Sequence, residues 1–317
     1  MKILSMSGFV PEAICDTVRF NGFKGDAGYS HYCTYASDYI SQVLSDDTID
    51  GAVFPKTCDS SRSISSYIGE SGKFVYPLAV PVVRSDDAIS YYAYVIRDYK
   101  TAIEAHYGIS ISEDEIYDRF RMVEARNASI NSLYESLADG LSYSSYINAI
   151  HENFTKPLAE QKIETSGQSA GIPVFLLGSY MTNAGIVDSA EKNGLRIIGD
   201  DLPESNRIAK RAFPVVDDIY QLVALQVLSS RTSPTQNSYS DRIKETIEEI
   251  GKKGCMGVLV VTQRFCEPYD YYYSVLKKAL DDSGIPSLKL ELDGSLDQNL
   301  HEAELGAFAS MLEACHG

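Results

Sequence analysis

Short apolar runs alternate with longer stretches of helical spacing through most of this chain, and no other feature restricts its fold as strongly. Runs suited to strands occupy residues 2–6, 51–54, 73–80, 173–177, 195–198, 257–262 and 286–291, nearly all separated by amphipathic segments. Strand, helix and strand in succession is the unit from which parallel sheets are assembled. The sequence therefore predicts an α/β protein with parallel sheet.

The middle of the chain is helical instead. Residues 86–107 carry Ile89, Tyr92, Ala93, Ile96 and Ile103 at helical spacing and stop at Gly108. Ser112-Glu113-Asp114-Glu115 makes a capping box, and Ile116, Phe120, Val123, Ile130, Leu133 and Leu137 form the next stripe before Gly140. A third helix is expected over residues 143–163. The polar stretch Glu164-Thr165-Ser166-Gly167-Gln168-Ser169-Ala170-Gly171 reads as a boundary. It divides the chain into an N-terminal α/β domain with the helical block, residues 1–165, and a C-terminal α/β domain, residues 166–317. Residues 231–238 read as a loop. There is no repeat of solenoid length, which leaves open two halves alike in architecture.

Bulk properties exclude several classes. At 317 residues, 44% hydrophobic and 23% charged, the chain has an ordinary globular composition and the length of about two domains. A formal net charge of -16 argues against nucleic acid, whose partners carry a basic footprint, and against an anionic membrane surface. Met1-Lys2-Ile3-Leu4-Ser5-Met6-Ser7-Gly8 lacks the pattern of a secretory signal, and no stretch approaches the roughly 20 apolar residues of a membrane helix. The expected location is the cytoplasm, where six cysteines are reduced thiols, metal ligands or small hydrophobes rather than a disulfide framework.

The familiar catalytic motifs fail on context. Gly167-Gln168-Ser169-Ala170-Gly171 matches G-x-S-x-G, but a nucleophile elbow needs a strand before it and a helix after it, and the order here is reversed. Gly69-Glu70-Ser71-Gly72-Lys73-Phe74 is not a phosphate loop, because Tyr67 and Phe74 stand where a glycine and a Ser or Thr are required. After His151-Glu152 the second zinc-ligand position is Thr155.

The cysteines form no C-x-x-C pair, so position distinguishes them. Cys266 sits just beyond the strand-like run 257–262 with Pro268 behind it, Cys58 follows the run 51–54, and Cys33 opens a helix. Ligands in open α/β proteins gather at that end of the strands. Three thiols there would face one rim as soft ligands suited to iron–sulfur chemistry, and a helix N-terminus after Cys33 favours its thiolate. Cys255 and Cys315 have bland settings, and Cys15 is a weaker candidate. Asp200 and Asp201, after the run 195–198, either cap a following helix or line a crevice beside the metal. Tyr269, Tyr271, Tyr272 and Tyr273 are read as helix packing and half-buried surface.

These residues resemble the 2-hydroxyacyl-CoA dehydratase and benzoyl-CoA reductase family of oxygen-sensitive iron–sulfur subunits. The likeness rests on Gln263-Arg264-Phe265-Cys266-Glu267-Pro268 with Leu280-Asp281-Asp282-Ser283-Gly284-Ile285-Pro286-Ser287-Leu288 downstream. Gly171-Ile172-Pro173-Val174 running to Gly178, Gly199-Asp200-Asp201-Leu202, Leu78-Ala79-Val80-Pro81 and the early Cys33 and Cys58 are also similar. Together they span most of the chain from about residue 30 onward.

The resemblance implies two flavodoxin-like α/β domains with a helical portion, and a 4Fe-4S cluster held by Cys33, Cys58 and Cys266. It implies a hydro-lyase subunit that pairs with a homologous second subunit, takes an acyl-CoA thioester, and receives one electron from a separate ATP-hydrolysing iron–sulfur activator. In such dehydratases a ketyl radical expels the neighbouring hydroxyl and an enoyl-CoA results. A reductase of aromatic acyl-CoA, a double-cluster reductase that recruits Cys15, and a non-catalytic electron-relay subunit are the alternatives the same family offers. The chain is somewhat short for the family, and Pro203-Glu204-Ser205-Asn206 departs from its pattern, so substrate contacts in that loop are not carried over.

Overall fold

The computed structural model describes residues 1–6, 8–22, 28–29, 31–181, 184–208, 212–236, 238–293 and 301–316. Its first sheet contains β1 (Ile3–Ser5), β2 (Thr17–Arg19), β3 (Gly51–Pro55) and β4 (Phe74–Leu78), all parallel, in the order β2-β1-β3-β4. The second contains β5 (Ile172–Gly178), β6 (Leu195–Asp201), β7 (Gly257–Gln263) and β8 (Ser287–Leu292), also parallel, in the order β6-β5-β7-β8. The two orders are one pattern used twice, the flavodoxin-like winding that the family resemblance implies. In each sheet the direction of winding reverses between the first and third strands, β1 and β3 or β5 and β7. β3 and β7 are buried along their whole length, as parallel strands covered on both faces must be.

Helices α1 (Thr34–Ser45), α2 (Asp59–Ser63) and α3 (Ser65–Ile68) belong to the connections of the first sheet. The helical block consists of α4 (Asp86–Tyr107), α5 (Glu113–Ser136) and α6 (Tyr143–Phe154). In the second half lie α7 (Gly185–Lys192), α8 (Ile219–Leu228), α9 (Tyr239–Lys253), α10 (Glu267–Asp282) and α11 (Glu302–His316).

The local signals explain most boundaries. Ser85 Oγ accepts the Ala88 N–H at 3.2 Å to open α4, which ends at Gly108 with φ 65°. Ser112 and Glu115 cap α5 reciprocally, the Glu115 N–H donating to Ser112 Oγ at 3.3 Å and the Ser112 N–H to Glu115 Oε2 at 2.7 Å. The helix expected to reach residue 163 stops at Phe154, because Pro157 restricts the residue before it and the chain continues as a short 3-10 turn over Leu158–Glu160. β2 was not foreseen. β6 runs on through Asp200 and Asp201, and among the described residues the next helix starts only at Ile219, so neither aspartate caps a following helix. Residues 231–236 form no helix or strand, as expected; Asn237 lies outside the described residues.

The cores cross over between the halves. Tyr143, Tyr146, Ile147 and Ile150 of α6 and Ile130 and Tyr134 of α5 pack with Val174, Leu176, Ile197 and Leu259 of the second sheet. In return Ile219, Leu222, Val223 and Ala224 of α8 pack with Ile3, Val53, Tyr92 and Ile96 in the core of the first. Each sheet is thus covered in part by a helix from the opposite half of the chain.

Candidate functional site

A cleft of about 870 Å³, counted out to its open mouth, lies where the carboxyl ends of the two sheets meet. Met6 follows β1, Pro55 ends β3 with Cys58 just beyond it, Ser179 and Tyr180 follow β5, and Gln263 ends β7 with Cys266 just beyond it, and all of them line the cleft. These are the winding-reversal points of both sheets, where such folds leave a crevice. Gly178 lets β5 lie close against β7 at this end of the second sheet: a Cβ there would stand 2.5 Å from the Val261 carbonyl oxygen.

Cys33, Cys58 and Cys266 all line this cleft, and Cys15, Cys255 and Cys315 do not. Cys58 and Cys266 occupy equivalent places in the two halves, at the ends of β3 and β7. Cys33, Cys58 and Cys266 are the N-cap residues of α1, α2 and α10. Cys58 Sγ accepts the Ser61 N–H at 3.4 Å, and Ser61 Oγ accepts the Cys58 N–H at 3.0 Å. The Thr34 N–H donates to the Arg264 carbonyl at 3.4 Å, which ties the start of α1 to the turn that carries Cys266. In that turn Phe265 adopts φ 62° and is 55% exposed. A left-handed, solvent-facing phenylalanine is uncommon, and such residues concentrate at sites where geometry is imposed for use.

The thiols are close enough to sense one another. Burial pushes the Cys33 thiol up to about 11, with the Cys58 charge adding to it. Burial and then the Cys33 charge raise Cys266 well above its ordinary range. Among the described residues no three Cys, His, Asp or Glu side chains converge as a single metal ion would require. A cubane makes a different demand, because each thiolate binds a separate iron and the sulfurs are spread around a void.

Beneath the rim is a buried charge network that sequence reasoning missed. Asp201, fully buried, accepts from Arg207 Nε at 2.8 Å and pairs with Arg242. Burial raises its carboxyl, but the Arg207 and Arg242 charges prevail and hold it at about 2. Arg207 also donates to the Gly178 carbonyl at 2.9 Å and lines the cleft, 5.6 Å from the Tyr269 ring centre. Asp200 accepts from the Tyr143 hydroxyl at 2.9 Å, from Ser205 Oγ at 2.5 Å and from the Leu202 N–H at 2.9 Å. Neither aspartate lines the cleft, which corrects the crevice expectation as well as the capping one. Tyr143 and Arg242 stand 57 and 41 residues away, and the nearer Ser205 and Arg207 form no motif with the aspartates, so only the Gly-Asp-Asp run pointed toward this network.

Of the four tyrosines after Cys266, Tyr269 lines the cleft, Tyr272 is buried and Tyr271 is exposed. Ser169 lies in the loop before β5 with no strand preceding it, as its context suggested. No helix among the described residues is long and apolar enough to cross a membrane. The segment Ser230 to Thr235 completes the cleft wall, held by Arg84, whose Nη2 donates to Gln236 Oε1 at 2.9 Å.

The family described as 2-hydroxyglutaryl-CoA dehydratase, D-component, matches residues 2–312. The chain is 26% identical over 312 residues to the (R)-2-hydroxyglutaryl-CoA dehydratase beta subunit of Acidaminococcus fermentans, with 89% of this chain and 82% of that one covered. It is 22% identical over 267 residues to the (R)-phenyllactyl-CoA dehydratase beta subunit of Clostridium sporogenes, covering 78% and 71%. It is likewise 22% identical over 316 residues to a subunit of the benzoyl-CoA reductase of Thauera aromatica, covering 91% and 82%.

Proposed function

Since this chain belongs to the 2-hydroxyglutaryl-CoA dehydratase D-component family, we propose that it is a subunit of a 2-hydroxyacyl-CoA dehydratase in which Cys33, Cys58 and Cys266 hold a 4Fe-4S cluster. The observation that carries this reading is that these three cysteines, and no others among the described residues, line one cleft between the two sheets. The donor set fits the group. Thiolates are the soft ligands such clusters take, and the first turns of α1 and α10 direct N–H groups toward added negative charge. When bound, the cluster supplies one-electron chemistry and an iron without a protein thiolate, open to a thioester carbonyl.

The chain's own residues have separate tasks. Each thiol gives up its proton as it binds iron. Phe9 and Ile208 in the wall limit the entry of water. Arg207, fixed by Asp201, keeps a positive charge beside Tyr269 without reorienting. Two of these relatives are named as beta subunits, which supports a partner subunit for this chain, a homologous one on this reading. A separate ATP-hydrolysing activator is the electron source this reading requires.

A reductase of the same family is the second reading, favoured by the likeness to the benzoyl-CoA reductase protein of Thauera aromatica. The double-cluster form of it loses its extra ligand, because Cys15 is 2% exposed in the first core and away from the cleft.

Iron and acid-labile sulfide per chain after anaerobic purification test the proposal. About four of each are expected, with loss in Cys33→Ser, Cys58→Ser and Cys266→Ser. Variants that keep a full cluster would refute the ligand assignment. Conversion of 2-hydroxyacyl-CoA to enoyl-CoA by the assembled, activated enzyme distinguishes dehydratase from reductase.

A further inference from the structure

Behind the cleft lies a smaller chamber, whose wall includes Arg19, Tyr35, His151, Tyr180, Met181 and Glu204. Tyr35 and Tyr180 stack with ring centres 4.7 Å apart at 12°, and both also line the cleft, so the two spaces share an aromatic wall.

Three buried polar groups meet in this chamber that neither core nor cysteines employ. Glu204, 4% exposed, accepts the Met181 N–H on Oε1 at 2.9 Å, and His151 Nε2 lies 3.6 Å from the same oxygen. Its Oε2 has no hydrogen-bond partner among the described residues. Arg19 binds Glu12 through Nε at 2.7 Å, while its Nη1 likewise has no partner among the described residues. An acceptor and a donor left open in one buried polar space are the setting in which an ordered water bridges. His151 comes from α6, Glu204 from the turn after β6 and Arg19 from β2, so only the fold assembles them.

We propose that this chamber is a water site serving the cleft, in which Arg19 fixes the water against Glu204 and the His151–Glu204 pair holds a proton for it. The inference rests on the dehydratase reading. In dehydration the C–O bond breaks, the oxygen leaves with its electron pair, and one proton must join it to make water. That proton passes from the pair through the bridging water, past Tyr180, to the departing oxygen. The proton that the substrate carbon loses overall restores the pair. His151 and Glu204 act through water and touch no reacting atom. Among the described residues the charged and titratable groups around them include Arg19 with its partner Glu12, Asp200 bonded to Tyr143, and the hydroxyls of Tyr35, Tyr143, Tyr146 and Tyr180; the first three tyrosines sense the Glu204 charge, and Tyr35 and Tyr180 sense Arg19.

Two measurements test it. A high-resolution crystal structure should show a water bonded to both Arg19 Nη1 and Glu204 Oε2; a direct Arg19–Glu204 contact, or a chamber closed by side chains, overturns the proposal. In the assembled, activated enzyme, His151→Gln and Glu204→Gln should each lower kcat on the order of 10²-fold with KM nearly unchanged, and flatten a limb of the kcat–pH profile. Glu204→Asp should recover most of the rate. A uniform loss with an unchanged pH profile would mean a structural role only, and overturns the proton assignment. Wild-type enzyme that does not dehydrate would count against the functional reading, while the crystallographic result still decides the water site.

Discussion

The backbone N–H of Thr34 donates to the carbonyl oxygen of Arg264 at 3.4 Å, joining the residue after Cys33 to the residue two before Cys266. One bond thus spans the two sheets at the place where their cysteines approach. Thr34 is the first residue of α1, where proline is well tolerated, and Cys33 has the extended backbone (φ -60°, ψ 150°) that a following proline demands.

Thr34→Pro should therefore remove this bond and leave the helix intact. The expected loss of stability is about 1 kcal/mol or less, but iron of the proposed cluster should leave the variant faster under a chelator. Equal release rates in variant and wild type would show that the bond does not set the spacing of Cys33 and Cys266.

Phe265 invites a paired substitution. A β-branched side chain at its φ of 62° is more strained than phenylalanine, so Phe265→Val should destabilise by about 1–2 kcal/mol. Phe265→Gly should be near neutral, because relief of strain is offset by the greater freedom of glycine in the unfolded chain. The ring's contact with the Arg264 guanidinium, 4.8 Å from its centre, is lost in both variants, so it does not confuse the comparison. Urea midpoints that rank the two variants in the opposite order would contradict the strain.

Asp201→Asn should cost about 3–5 kcal/mol, since it leaves Arg207 and Arg242 buried without their carboxylate. Urea denaturation measures it; a loss under about 1 kcal/mol would mean the network relaxes onto other acceptors.

The two adjacent aspartates should answer pH in opposite senses. Asp201 is held at about 2, below its ordinary 3.8, so its contribution is full above 3.8 and lost as the pH falls through 2. Asp200 is raised to about 6 by burial, so between 3.8 and 6 the folded chain keeps a proton that the unfolded chain has released. Its contribution is full below 3.8 and lost as the pH rises through 6. Wild type should lose about 1 kcal/mol more than Asp200→Asn between about pH 5 and pH 7. Parallel curves for the two proteins would refute the raised carboxyl.

Much of this architecture was legible where the physics is local. The apolar runs that became β3, β5 and β7, the Ser112–Glu115 capping box and the stop at Gly108 each declare themselves within a few residues. β2 does not, because three residues with Val18 at their centre become a strand only by pairing with β1. α6 ends early because Pro157 outweighs the apolar pattern that continues beyond it. Cys33, Cys58 and Cys266 stand out by their positions at element ends. Arg207, His151 and Glu204 do not, since each matters through partners that sit near it only once the chain is folded. Asp200 and Asp201 read as loop residues, because nothing near them in sequence marks the strand as continuing through two carboxylates.

The placement of α8 against the first sheet, with α6 against the second, reaches beyond stability. Neither half is a cassette. A recombination that joined residues 1–165 to an unrelated second half would strip Ile219, Leu222 and Val223 from the core around Ile3 and Tyr92. The site between the sheets would vanish in the same event. The cleft is therefore all or nothing: either half alone would lack both a wall of the site and a cover for its own sheet.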